Sequence, residues 1–171
     1  TGSHELTIPS GAQTGLKLVQ GFTLAQGGIA NFTIDFNVAH SLVSNANGFY
    51  LKPTLRLVDN LEVGTLTGTV SQSLLANCAN TTTDAGAVYV YSGSGVTPTD
   101  ISGAATDPIT TAHVGTNGTN SYTIGFLAAG TYTVAWTCNE STDDPTAIDN
   151  LTFSTPVTVN ISANTTTTQN F

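Results

Sequence analysis

Positive charge is what this chain most lacks. Its 171 residues include three Lys and Arg (Lys17, Lys52, Arg56) against eleven Asp and Glu, a net charge of −8. Binding a phosphate backbone requires a basic face, and three scattered cations cannot build one, so nucleic acid is excluded as a partner. The same shortage disfavours docking on anionic lipid. No apolar run approaches the roughly 20 residues that a membrane-spanning helix needs. Charge of either sign is scarce, at 8 % of residues, where a soluble domain typically carries about 25 %. Thr, Asn, Ser and Gly supply the polarity instead, which suits an extracellular or cell-surface β protein. Methionine is absent, which implies a processed or excised piece rather than a translation start.

Long helical patterns are missing too. Apolar periodicity is close to two almost throughout and is interrupted by Gly, Asn, Asp and Pro clusters, the pattern of an all-β sandwich. A first group of strands is expected at "LTIP" (6–9), "GLKLVQGFTL" (15–24), "ANFTIDFNVA" (30–39) and "FYLKPTLRLV" (49–58). In the third, Phe32, Ile34, Phe36 and Val38 share a face. With Phe22, Leu24, Leu55 and Leu57 they call for one apolar interior. Turn chemistry in "DNLEVG" (59–64) suggests a boundary, giving a small β domain over 1–60 and a second domain over 65–171. The second group is expected at "TLTGTVS" (65–71), "AVYVYSG" (87–93), "ITTAHVG" (109–115), "SYTIGFLA" (121–128), "GTYTVAWTC" (130–138), "LTFSTPVTVNIS" (151–162) and "TTTTQNF" (165–171). Seven short strands are the count of an immunoglobulin-like sandwich.

The single Trp marks the centre of that second domain. Tyr132, Val134, Trp136 and Cys138 alternate onto one face, with Phe126, Ile124 and Val159 as expected neighbours. Cys78 and Cys138 are the only cysteines. In a chain of exported character they read most simply as a disulfide, with two buried thiols as the alternative. A metal or redox pair lacks its C-x-x-C spacing and a nearby His.

Catalytic constellations are absent from the sequence. His4, His40 and His113 are far apart, no metal-ligand spacing such as H-x-x-x-H occurs, and no G-x-S-x-G is present. No enzyme activity and no cofactor are implied. The densest acidic stretch, "NESTDDPTAID" (139–149), offers Glu140, Asp143, Asp144 and Asp149 as oxygen ligands for Ca²⁺, without matching an EF-hand. Its plainer reading is a solvated loop with Asp-Pro turn chemistry. Tyr89 and Tyr91 are the outward aromatic candidates for a sugar platform. An intramolecular Lys–Asn cross-link would require Lys17 or Lys52 beside a buried acid such as Asp35. Asn-x-Ser/Thr sequons start at Asn31, Asn80, Asn117, Asn139, Asn150, Asn160 and Asn164, and a glycosylating host would make them meaningful.

The run "TGTV…AVYVYSG…SYTIGFLAAGTYTVAWTC…PVTVNISANTTTTQNF" resembles the carboxypeptidase-regulatory-like, or prealbumin-like, sandwich domains of bacterial surface proteins. The first group, "ELTIPSGAQTGLKLVQGFTLAQGGIANFTIDFNVAHSLV…YLKPTLRLV", resembles the C-terminal half of a bacterial lipoprotein-type domain of unknown function. That module normally has strands upstream of "ELTIP", so the resemblance implies a first domain completed by contact with something else. The expected function is a structural or adhesive module of a bacterial surface or extracellular protein, with itself or other surface proteins as partners. Self-assembly by β-strand complementation is one mode open to it, with "NTTTTQNF" or "HELTIP" as donor. A sugar- or calcium-binding module is the alternative.

Overall fold

The computed structural model describes residues 5–8, 31–45, 48–51, 54–76, 78, 85–115 and 119–171. The chain is all-β and divides into two compact units, Thr1–Asn60 and Leu61–Phe171. The expected strand over 15–24, together with Lys17, Lys52, His4, Phe22, Leu24, Asn80 and Asn117, lies outside the described residues.

The first unit contains β1 (Leu6–Thr7), β2 (Phe32–Asn37), the short helix α1 (Val38–Ser41), β3 (Leu42–Asn45), β4 (Gly48–Leu51) and β5 (Thr54–Asp59). β4 is central in a three-stranded sheet, parallel to β1 and antiparallel to β3. β2 and β5 form an antiparallel pair in which Asp35 faces Arg56. Those two side chains form an ion pair at 2.6 Å, so Asp35 answers to Arg56. The expected strand over 49–58 is in fact two strands, β4 and β5, in different sheets. They flank Pro53, whose missing N–H cannot serve a ladder. Among the described side chains of this unit only Ser41 and Val58 are buried. Ile34 is 56 % exposed and Val38, on α1 rather than β2, is 62 % exposed. The interior expected beneath the β2 face is therefore not closed over these two.

The second unit contains β6 (Val63–Thr69), α2 (Gln72–Leu75), β7 (Ala87–Ser92), β8 (Thr110–His113), β9 (Ser121–Ala128), β10 (Gly130–Thr137), a 3-10 turn (Glu140–Thr142), β11 (Val157–Ile161) and β12 (Thr166–Thr168). Seven strands make two sheets, ordered β11-β10-β7-β8 and β12-β6-β9. All pairs are antiparallel except β12 with β6. The architecture is that of a seven-stranded immunoglobulin-like sandwich. Its strand order is its own, since a constant-type immunoglobulin domain keeps its first two strands in one sheet. The C-terminal run is already paired: β12 runs beside β6, and Phe171 N–H and O bond Thr69 and Ser71. β1 is likewise paired with β4.

The core between the sheets gathers Leu66, Val88, Val90, Ile124, Val134 and Trp136, with Tyr132 and Val159 at its margin. Trp136 is 5 % exposed, and its indole N–H donates to Ala85 O at 3.0 Å. Gly86, at φ +79°, passes beneath that ring, where a Cβ would collide with the indole and the Thr137 carbonyl. Phe126 departs from its expected place in this core and is 41 % exposed. A register shift between Gly64 and Leu66 inserts an extra residue into β9, so Ile124 and Leu127 turn inward and Phe126 turns out. Cys78, just beyond α2, and Cys138, at the end of β10, form a disulfide with Cα atoms 5.5 Å apart.

Candidate functional site

β7 is buried on both faces. Val88 and Val90 point between the sheets, while Ala87, Tyr89 and Tyr91 point outward into a second apolar cluster with Ile101, Val96, Leu151 and Phe153. Strands covered on both faces lose the apolar–polar alternation, and "AVYVY" carries that signal. Two loops form the cover, 93–109 between β7 and β8, and 138–156 between β10 and β11. The Tyr89 ring meets Phe153 edge-on at 5.3 Å and 74°. Tyr89 and Tyr91 are 2 % and 1 % exposed, which removes the outward platform expected for sugar.

Carboxylates fasten these loops to the sheet and to each other. Tyr89 Oη donates to Asp143 Oδ2 at 2.5 Å, and Ile101 N–H donates to Asp143 Oδ1 at 3.1 Å. Asp149 N–H donates to Asp100 Oδ2, and Asp144 N–H donates to Asp149 Oδ2 at 2.6 Å. Asp107 gathers the N–H groups of Ser102, Gly103 and Ala104. The Tyr91 hydroxyl donates to Thr99 O and accepts from Thr99 N–H. It lines an open cleft of about 460 Å³ with Ser92, Val96, Thr106 and Ile109.

Asp100, Asp143 and Asp149 bring one carboxylate oxygen each within 4.8 Å of the others. Two of the four acids expected to act together are in this group; the others are not. Glu140 approaches His113 Nδ1 at 3.4 Å, and Asp144 accepts from Thr146 N–H and Oγ1. Asp100 has no local sequence signal, because it lies in the other loop, and only the fold brings it over. The 139–149 stretch is the mostly solvated loop expected, with Asn139, Ser141, Thr142, Asp144, Thr146, Ala147 and Ile148 exposed and only Glu140, Asp143, Pro145 and Asp149 partly covered. Burial raises the Asp143 carboxyl above its ordinary range, with the Asp100 and Asp149 charges adding and the Tyr89 and Ile101 donors opposing. Burial, then the bond to Asp143, pushes the Tyr89 phenol far up. Two Thr146 donors hold exposed Asp144 below its ordinary value.

Fold and site together define an all-β protein whose second unit is a disulfide-closed sandwich with an acid-stapled outer face. The model of a family described as a domain of unknown function (DUF4382) matches residues 2–53. No curated protein and no solved structure matches the chain.

Proposed function

We propose that the chain is a non-enzymatic structural or adhesive module of a bacterial cell-surface or extracellular protein, with further copies of itself or other surface proteins as partners. In this reading the second unit is a prealbumin-like sandwich, and the first is the end of a lipoprotein-type domain. The resemblance motifs fit that assignment: "GTV" runs out along β6, and "LAAGTYTV" crosses the tight β9–β10 hairpin.

One observation carries the reading. Of the large apolar side chains exposed among the described residues, Leu6, Ile8, Ile34, Val38 and Leu42 belong to the first unit, against Leu61, Phe126 and Ile148 in the second. Five exposed apolar side chains on one small unit give it surface suited to association. Because β12 already lies beside β6 and β1 beside β4, strand complementation would add a strand at an edge of the first unit rather than donate either of those two runs. Light scattering over a wide concentration range tests this, with concentration-dependent growth of the apparent mass expected. A strictly monomeric, cooperatively folding protein removes the assembly reading.

The meeting of Asp100, Asp143 and Asp149 favours calcium binding as the second reading. Against it, each carboxylate already accepts a backbone N–H from a neighbouring loop residue, which makes the group a loop fastener. A calcium-dependent rise in Tm, abolished by chelator, would select the second reading.

A further inference from the structure

We propose that Asn139 and Asn150 are acceptor sites for N-linked glycans. Half of the fourteen Asn residues head an Asn-x-Ser/Thr sequon, whereas 45 Ser and Thr among 171 residues would give about four by composition. The five sequon Asn among the described residues (Asn31, Asn139, Asn150, Asn160, Asn164) are all exposed. Geometry separates them. Asn31 Oδ1 accepts from Asn60 Nδ2 at 2.9 Å. Asn160 sits on β11 opposite Thr131, whose hydroxyl donates to Asn160 Oδ1 at 2.8 Å. Asn164 holds φ +56°, and its Nδ2, the atom that would carry a sugar, donates to Leu61 O at 3.0 Å. Asn139 leads the 3-10 turn yet makes no side-chain capping bond. Asn150 stands exposed outside any strand. Their sequon partners, Ser141 and Thr152, are exposed as well.

Transfer needs a lipid-linked oligosaccharide and a membrane transferase. The Asn Nδ2 attacks the anomeric carbon, an N–C bond forms, the bond from that carbon to the lipid phosphate oxygen breaks, and one amide proton leaves to a base. Both acceptors lie in the 138–156 loop that fastens Tyr89, one on each side of Asp143 along the chain. This inference rests on the extracellular reading, because the transferase acts on exported chains.

The test uses protein purified from its own source cells. With three Lys and Arg in the chain, chymotryptic rather than tryptic peptides are required. Mass spectrometry should find sugar at both Asn139 and Asn150, which share the chymotryptic peptide that follows Trp136. Ser141→Ala should strip the first glycan and Thr152→Ala the second, each leaving its Asn in place, while Asn160→Gln should leave the glycan mass unchanged. Bare Asn139 and Asn150 in a protein whose Cys78–Cys138 bond is formed would overturn the sites and leave the extracellular reading standing. So would a modification that survives both hydroxyl removals. Free thiols at Cys78 and Cys138 with bare Asn would remove the sites and the reading together.

Discussion

Phe126 shows how far one residue can depart from the rule of its strand. It holds φ +58° within β9, a left-handed conformation that costs an L-residue with a Cβ about 1–2 kcal/mol. Strands ordinarily prefer β-branched side chains, but at this angle branching adds clashes, whereas Asn tolerates it. Phe126→Asn should therefore be more stable than Phe126→Val by about 1 kcal/mol, as read by urea unfolding, and the opposite order would show the bulge is not fixed. Asp143 gives the second residue-level prediction. Its folded carboxyl is raised above the ordinary range, so the folded state binds the proton more tightly than the unfolded chain. Stability from this group is then greatest in acid and falls as pH rises from the ordinary carboxylate value through the raised one. Asp144, held low, acts with the opposite sign at lower pH. Within the window just above the ordinary carboxylate value, urea midpoints should therefore rise as pH falls, and Asp143→Asn should flatten that slope. An unchanged slope would place its cause elsewhere. The alternation of Tyr132, Val134 and Trp136 was legible in the sequence because it depends on neighbours two apart. The turning of Phe126 was not, because a bulge is decided by strand pairing.

At the scale of elements, the disulfide and the outer loops stand out. Thr133, Ala135 and Thr137 are as buried as the inner face of β10, because loops 93–109 and 138–156 close over the sheet. Thr residues tolerate that burial by bonding locally: Thr133 Oγ1 donates to Gly93 O, and Thr137 Oγ1 to Thr152 O. The disulfide fixes the start of the second loop by tying Cys138 across 60 positions to Cys78. In the chain-entropy account, closing such a loop stabilises by about 4 kcal/mol. Cys78→Ser with Cys138→Ser should lower the unfolding free energy by about that amount, and a loss under about 1 kcal/mol would mean that the outer loops hold β10 unaided. Turns and alternation made the strands of the second unit readable, and the two cysteines made their bond readable. The split of "FYLKPTLRLV" into β4 and β5 was hidden, because both halves alternate correctly and only their sheet partners differ. The cover on β7 was written in "AVYVY", yet Asp100, which meets Asp143 and Asp149, lies 43 positions before Asp143, beyond any local pattern.

For the whole molecule, charge is divided as unevenly as apolar surface. Residues 1–60 hold Lys17, Lys52 and Arg56 against Glu5, Asp35 and Asp59, while residues 61–171 hold the other eight acids and no Lys or Arg. The net charge of −8 thus resides in the second unit. Two copies meeting through the apolar residues of a neutral first unit still bring two such acidic bodies near each other, and their repulsion opposes association. Screening shortens the reach of that repulsion, from about 30 Å at 0.01 M salt to about 8 Å at 0.15 M, and leaves apolar contact intact. Association should therefore strengthen as salt is raised through that range, and Ile34→Lys should weaken it at every salt concentration. If Leu61, Phe126 and Ile148 of the second unit were the contact instead, Ile34→Lys would change nothing. If the cations of one copy met the acids of the next, added salt would dissolve the assembly. A sedimentation series across salt, with and without Ile34→Lys, separates the three: apolar association through the first unit requires both the rise with salt and the loss on substitution.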